Sequence, residues 1–237
     1  MRIWEEELDQ PLLRKTLRLL SEAYPGGDMK SVGHLSIGDR DARLLQMREW
    51  MFGPLLRIIA NCPQCREMIE WESNIDNFKL QPVLPELNVR TFTLEKDGYH
   101  IRFRLPDTYD ISKAINDPSY LSDQNKLIRD CILEKSRDGE KFEGYDLPEA
   151  VWNALDDRMG KEDPQADIRM DIKCPACSHH WEASFDITGY IWAEIENWAH
   201  RVMREVVLLA RSFGWAEKDI LQMSPMRRQL YIQMLTG

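Results

Sequence analysis

Two four-residue stretches, Cys62-Pro63-Gln64-Cys65 and Cys174-Pro175-Ala176-Cys177, constrain this chain more than any other feature. Each is a Cys-Pro-x-Cys knuckle, and together they supply four thiols, the number that a closed tetrahedral thiolate site requires. The likeness continues past the cysteines. Trp71-Glu72 and Asp76 follow the first knuckle, and Trp181-Glu182 and Asp186 follow the second. Both copies read as a knuckle, a turn and Trp-Glu-x-x-x-Asp, with the first copy two residues longer in the turn. This internal repeat predicts a split zinc ribbon, with halves at residues 62–78 and 168–186 and a module at 79–167 inserted between them.

Paired Cys-x-x-Cys spacing in a reducing compartment points to metal before disulfide. A redox Cys-x-x-Cys is expected singly, at the start of a helix beside a strand. Cys62, Cys65, Cys174 and Cys177 are therefore the expected ligands of a structural Zn2+, in a site with no open position for water. His179-His180 follows the second knuckle directly, and a solvated turn is the expectation there. Cys131 lies on the apolar side of a helical pattern and reads as a small buried thiol.

Hydrophobic residues make up 43% of the 237 and charged residues 30%, a globular balance. No apolar run approaches the ~20 residues of a membrane span. The opening Met1-Arg2-Ile3-Trp4-Glu5-Glu6-Glu7 lacks the apolar stretch of a signal peptide, so a cytoplasmic location is expected. Net charge is −9, and residues 62–186 carry 26 acidic against 16 basic side chains. A zinc-ribbon nucleic-acid-binding regulator is the alternative function, but an acidic ribbon repels phosphates, so no nucleic-acid partner is expected. There is no glycine-rich phosphate loop, Gly-x-Ser-x-Gly or His-Glu-x-x-His motif. Asp156-Asp157 and Glu162-Asp163 read as a solvated helix end, and the chain is not expected to be an enzyme.

In chain order, residues 1–61 read as N-terminal helices. One opens at Asp9-Gln10-Pro11 and stops at Pro25-Gly26-Gly27. Residues 25–35 read as a mobile loop, and Ser36 caps a second helix whose Leu44, Leu45, Met47, Met51 and Phe52 share a face. In the inserted module a loop with Pro82 and Pro85 leads to a hairpin, Arg90–Leu94 with His100–Leu105. Its turn is set by Asp97-Gly98. Phe92 and Leu94 face the same side as Ile101, Phe103 and Leu105, while His100, Arg102 and Arg104 point to solvent. A helix from Ser122 or Asp123 to Lys135 and another from Pro148 to Met159 follow, with Arg137–Tyr145 as a charged link open to proteolysis.

Residues 187–237 are C-terminal helices. The longest runs from Gly189 to Ser212 along a seam of Ile191, Ile195, Trp198, Val202, Val206, Leu209 and Phe213. Its apolar face either packs as core or leaves Trp192, Trp198 and Trp215 for a partner. The fold class is α+β, mainly helical, with a split zinc ribbon and a β-hairpin insertion.

Further motifs carry a resemblance. Leu35-Ser36-Ile37-Gly38-Asp39-Arg40-Asp41, then Phe52-Gly53-Pro54 and the first knuckle, are followed by Arg104-Leu105-Pro106. The second knuckle is followed by Trp181-Glu182, Phe185-Asp186-Ile187 and Ile191-Trp192-Ala193-Glu194-Ile195. The tail has Ala210-Arg211-Ser212-Phe213-Gly214-Trp215, Ser224-Pro225-Met226-Arg227-Arg228 and Tyr231. In this order, over roughly residues 35–235, the chain resembles baseplate-associated proteins of contractile phage tails and contractile injection systems, related loosely to T-even phage baseplate hub proteins. Ser178 and Arg66 depart from the glycine often found after a knuckle. The resemblance implies a structural or assembly role among tail, baseplate or hub proteins, and it brings no catalytic residues.

Overall fold

The computed structural model describes residues 2–24, 26–84 and 86–236. Pro25 and Pro85, expected as a helix stop and a loop residue, lie outside the described residues. The chain forms two compact units, Met1–Gln10 with Gly189–Gly237, and Pro11–Thr188. Helix α1 (Arg2–Glu6) belongs to the first of these.

The larger unit begins with α2 (Leu12–Ala23), which buries Leu17, Leu19 and Leu20. Residues 26–35 are not loop throughout, as their glycines would suggest. Asp28 accepts the Ser31 N–H and caps a short helix, α3 (Met29–Gly33), anchored by fully buried Val32.

Helix α4 (Ile37–Phe52) is capped by Ser36, as its sequence predicts. Leu44, Leu45 and Met47 are buried, but Met51 is exposed, and Asp39, Arg40, Asp41, Arg43 and Arg48 are buried as well. Charge survives inside only where it is hydrogen-bonded. Arg40 Nε donates to Asp41 at 2.7 Å, and Arg43 donates to the carbonyls of Asp39, Leu84 and Glu86 at 2.7–2.9 Å. Arg48 reaches the Gly53 carbonyl. Helix α4 is thus buried on its polar side too.

Strands β1 (Leu55–Asn61) and β2 (Met68–Asn74) form one antiparallel pair. After it comes a four-stranded sheet that starts with β3 (Thr91–Lys96) and β4 (Tyr99–Arg104). Phe92 faces Phe103 and Leu94 faces Ile101, with Asp97 and Gly98 both at positive φ in the turn. Helices α5 (Thr108–Asn116), α6 (Ser119–Ser122) and α7 (Lys126–Cys131) follow.

The helix expected to reach Lys135 ends at Cys131, and β5 (Ile132–Arg137) takes its place. The free edge of β4 offers this segment backbone partners, and Arg102 meets Glu134 across the strands at 2.6 Å. Of the residues expected to form an open link, the first part makes a second Asp-Gly turn, Asp138-Gly139, into β6 (Glu140–Lys141), and 142–145 continue as an irregular segment. Helix α8 (Glu149–Glu162) covers the sheet, and Ile101, Phe103, Cys131, Val151 and Leu155 form the buried centre.

The chain returns through Asp163, which is buried rather than the solvated helix end expected. Its carboxylate accepts the Ser36 hydroxyl and the Gly38 N–H, both at 2.9 Å, and burial raises its pKa. The next hook is Gln165, fully buried, which bonds the Phe78 carbonyl and the Leu80 N–H. Strands β7 (Arg169–Lys173) and β8 (His180–Ser184) then form the last antiparallel pair.

In the smaller unit, α9 (Ile187–Phe213) buries Ile191, Trp192, Ile195, Ala199, Val202, Val206 and Leu209. Only its first two residues fall in the larger unit. Trp4 of α1 meets His200 edge-on at 5.5 Å. Helices α10 (Glu217–Gln222) and α11 (Pro225–Thr236) pack Ile220, Tyr231 and Ile232 around Val206 and Leu209, and Arg228 pairs with Glu205 at 2.9 Å.

A methyl group at Gly38 would stand 2.2 Å from Asp163 Oδ1 and 3.0 Å from the Ala166 nitrogen. That carboxylate is held by two hydrogen bonds and cannot swing aside freely. Gly38→Ala is expected to lower the free energy of unfolding by about 2–3 kcal/mol, the scale of a lost charge-assisted bond plus overpacking, read from urea denaturation.

Candidate metal centre

Each knuckle sits at the closed end of a two-stranded sheet, and the two turns are built alike. The Cys62 N–H donates to the Glu67 carbonyl and the Arg66 N–H to the Cys62 carbonyl, both at 2.9 Å. In the second copy the Cys174 N–H donates to the His179 carbonyl at 2.8 Å and the Ser178 N–H to the Cys174 carbonyl at 2.9 Å. Arg66 at φ 64° and Ser178 at φ 60° take the same left-handed conformation.

The turns are therefore of equal length, and the two extra residues of the first copy lie in its strands. β1 and β2 have seven residues each, β7 and β8 five each. Trp71 opposite Ile58 and Trp181 opposite Ile172 correspond when counted from the open ends. There the Ile75 N–H meets the Pro54 carbonyl, and the Phe185 N–H meets the Ile168 carbonyl, each at 2.8 Å. The reason is geometric: a ladder lengthens by adding matched pairs, whereas a knuckle cannot lengthen without moving its sulfurs.

These turns bring the four predicted cysteines together. Cys62 Sγ lies 3.7 Å from Cys177 Sγ, Cys65 Sγ lies 3.6 Å from Cys174 Sγ, and all four fall within 4.8 Å of one another. Such separations are far longer than a disulfide of about 2.05 Å. Four sulfurs placed ~2.3 Å from a common centre would stand roughly 3.8 Å apart, so the cluster has the dimensions of a tetrahedral thiolate cage. Cys62 and Cys174 are buried, Cys177 is half-buried and Cys65 is exposed.

Electrostatics within the cluster oppose its full ionisation. Burial works against the Cys62 thiolate, yet the Cys65 and Gln64 amides and the neighbouring thiols bring its pKa down to about 7. The Glu67 amide favours the Cys65 thiolate, but desolvation and the other three sulfurs push its pKa up to about 12. Cys177 is raised despite the His179 amide, through desolvation and its neighbours Cys174 and Cys62. Four thiolates this close need a cation to balance them, and a soft dication suits such a donor set.

Neither histidine behind the second knuckle joins the cluster found among the described residues. His179 stacks on Trp181 at 5.9 Å, and His180 begins β8. Cys131 is fully buried and its pKa is pushed up to about 12, chiefly by desolvation, so it stays a neutral thiol. Of the three tryptophans singled out above, Trp192 is 5% exposed, Trp198 is half-buried, and Trp215 stacks on Phe213 at 4.4 Å and meets Tyr231 edge-on. A surface stripe not singled out in the sequence runs along α11. Met226, Leu230 and Met234, spaced by four, are 72%, 50% and 74% exposed.

A mixed α/β chain whose paired knuckles gather one four-cysteine cluster belongs to the class of proteins with a potential metal-binding site. A family model described as T4 bacteriophage base plate protein matches residues 6–190, and the chain belongs to that family. Base plate proteins of this family are structural, and this chain is a structural protein rather than an enzyme. No curated protein and no solved structure matches it. Among the described residues, no helix is long and apolar enough to cross a membrane.

The left-handed conformation costs a non-glycine residue roughly 1–2 kcal/mol, part of which glycine returns through its larger unfolded entropy. Arg66→Gly and Ser178→Gly are each expected to raise unfolding free energy by about 0.5–1 kcal/mol. Denaturant titration of the single and double variants checks this.

Proposed function

We propose that this protein is a structural or assembly component of a contractile phage-tail-like particle, acting at the baseplate or hub through contacts with tail, baseplate or hub proteins. Membership of the base plate family carries this reading. In it, Cys62, Cys65, Cys174 and Cys177 hold a structural Zn2+ that joins two halves of a split zinc ribbon, residues 62–78 and 168–186. Residues 79–167 are the inserted module, with residues 1–61 before the ribbon and 187–237 after it. Two features support zinc: the four-sulfur donor set, and the absence of any other His, Asp or Glu from that cluster among the described residues. The site has no vacant position, so the metal acts by cross-linking and not by catalysis. The protein is made in the cytoplasm and functions there or within the particle.

The contact surface lies on the C-terminal helices. Trp198 and Trp215 retain partial exposure, and the α11 stripe of Met226, Leu230 and Met234 extends the apolar area. Trp192 supports the helix from inside, because it is almost wholly buried. Large exposed apolar side chains in register on one helix are the usual anchors of helix-in-groove recognition.

Two measurements test these claims. Elemental analysis of protein purified under reducing conditions is expected to find about one zinc per chain, four-sulfur coordination by X-ray absorption, and loss of both in Cys174→Ser. A strong chelator should lower the melting temperature sharply, since such sites contribute roughly 10 kcal/mol or more in isolated zinc peptides. Protein with no metal, or an unchanged melting temperature in Cys174→Ser, would overturn the zinc site.

For the contact surface, Met226→Glu with Leu230→Glu should leave zinc content and melting temperature as in the parent. It should yield roughly tenfold fewer assembled particles in the native host, because anchor residues carry most of an interface's energy. Normal particle numbers from that double variant would remove the C-terminal surface from the proposal.

A further inference from the structure

The bonds that bracket β7 fix which of its backbone groups are used. The Phe185 N–H bonds the Ile168 carbonyl and the Cys174 N–H bonds the His179 carbonyl. In an antiparallel pair alternate residues face the partner, so Ile168, Met170, Ile172 and Cys174 bond toward β8. The N–H and C=O groups of Arg169, Asp171 and Lys173 therefore point away from it. β7 pairs with no strand other than β8 among the described residues, so this edge is open.

That edge does not face featureless solvent. All six residues from 168 to 173 line one groove of about 440 Å³, together with Ile69 and Trp71 of β2, and Phe78 and Leu80. Consecutive residues of a strand, whose side chains alternate between faces, line a groove together only when it runs along the strand's edge. The opposite wall mixes apolar and polar side chains: Ile69, Trp71 and Ser73 of β2, then Asn77, Phe78 and Leu80 from the segment that follows it.

We infer that this groove receives one extended segment of a partner protein, which adds to β7 as an antiparallel strand. Charge specifies the segment further. Arg169 is already engaged by Asp167 at 2.7 Å and Glu182 at 3.3 Å. Exposed Asp171 and Lys173 have no ion-pair partner among the described residues. An antiparallel strand places one residue opposite Lys173 and, two residues later, one opposite Asp171. The first should be acidic and the second basic, since opposite charges directly across a ladder attract and like charges repel. The residues that alternate with them face the side of Ile172 and Met170, toward Ile69 and Trp71, and should be apolar. The recognised pattern is acidic, apolar, basic, apolar. This site is independent of the C-terminal surface proposed above.

The probe is the blocked peptide Ser-Glu-Val-Lys-Val-Ser, added to the full chain, with Ser-Lys-Val-Glu-Val-Ser as its charge-reversed control. The first should slow hydrogen exchange at the amides of Arg169, Asp171 and Lys173 and bind about tenfold more tightly than the second, from two favourable against two unfavourable cross-strand pairs. Asp171→Lys with Lys173→Glu, both at exposed positions, should reverse the preference. Met226→Glu with Leu230→Glu should bind the peptide as the parent does, so failure here and failure of the C-terminal surface are separable. Absence of peptide-dependent protection, or equal affinity for the two peptides, would overturn the inference. Protection of the same amides that grows with protein concentration alone would assign the edge to a second copy and overturn it equally.

Discussion

Closing Cys65 onto Cys174 brings together sulfurs 109 positions apart in sequence, at a distance of 3.6 Å. An unfolded chain resists such closure only logarithmically with length, and a cross-link over a loop of ~100 residues recovers about 4–5 kcal/mol in the chain-entropy picture. Repulsion among thiolates is a second obstacle, met only as the cluster ionises. With Cys65 pushed up to about 12 while Cys62 falls to about 7, the cluster ionises easily once and then resists. Packing of the surrounding strands must hold the sulfurs close, and a bound dication would turn that repulsion into attraction. Everything between the knuckles is organised under this constraint, because the inserted sheet and helices must leave and re-enter the same small cluster.

Polar hooks carry the rest of the closure. Asp163 caps the start of α4 from beyond α8, and Gln165 grips the backbone at Phe78 and Leu80 beside the first knuckle's sheet. Arg43 holds the carbonyls of Leu84 and Glu86. Each hook satisfies backbone groups of irregular segments that would otherwise be buried without partners. Asp41 shows what such a design costs: burial outweighs its Arg40 partner and pushes the carboxyl pKa up to about 6. The larger unit is therefore held by three kinds of contact, namely the sulfur cluster, the apolar core around Phe103 and Leu155, and a set of buried polar bonds to backbone.

Local chemistry written in adjacent residues was legible. Ser36 as a cap, Asp97-Gly98 as a turn, the facing of Phe92 and Leu94 with Ile101 and Phe103, and the long apolar seam of α9 all follow from spacing that a neighbour on the same element reads. Where a partner distant in sequence decides, reading along the chain fails. Ile132-Leu133-Glu134-Lys135 suits a helix until β4 offers it an edge. Asp163 reads as a solvated helix end until α4 presents its first amides. Asp138-Gly139 is the same dipeptide as Asp97-Gly98, and its charged surroundings masked an equal turn signal. The α11 stripe was likewise present in its four-residue spacing.

The paired knuckles, their four sulfurs and the repeat between them were determined by the sequence alone, because metal-ligand spacing is a local property of the chain. Tertiary structure decided that the two turns match to the hydrogen bond and that the extra residues of the first copy lengthen its ladder. It also decided that an edge of β7 stays open along a groove walled by β2 and the segment after it. The first two outcomes rest on backbone hydrogen bonds within each hairpin, and the third on β2 and β7 meeting from distant parts of the chain, none of which the cysteine spacing encodes.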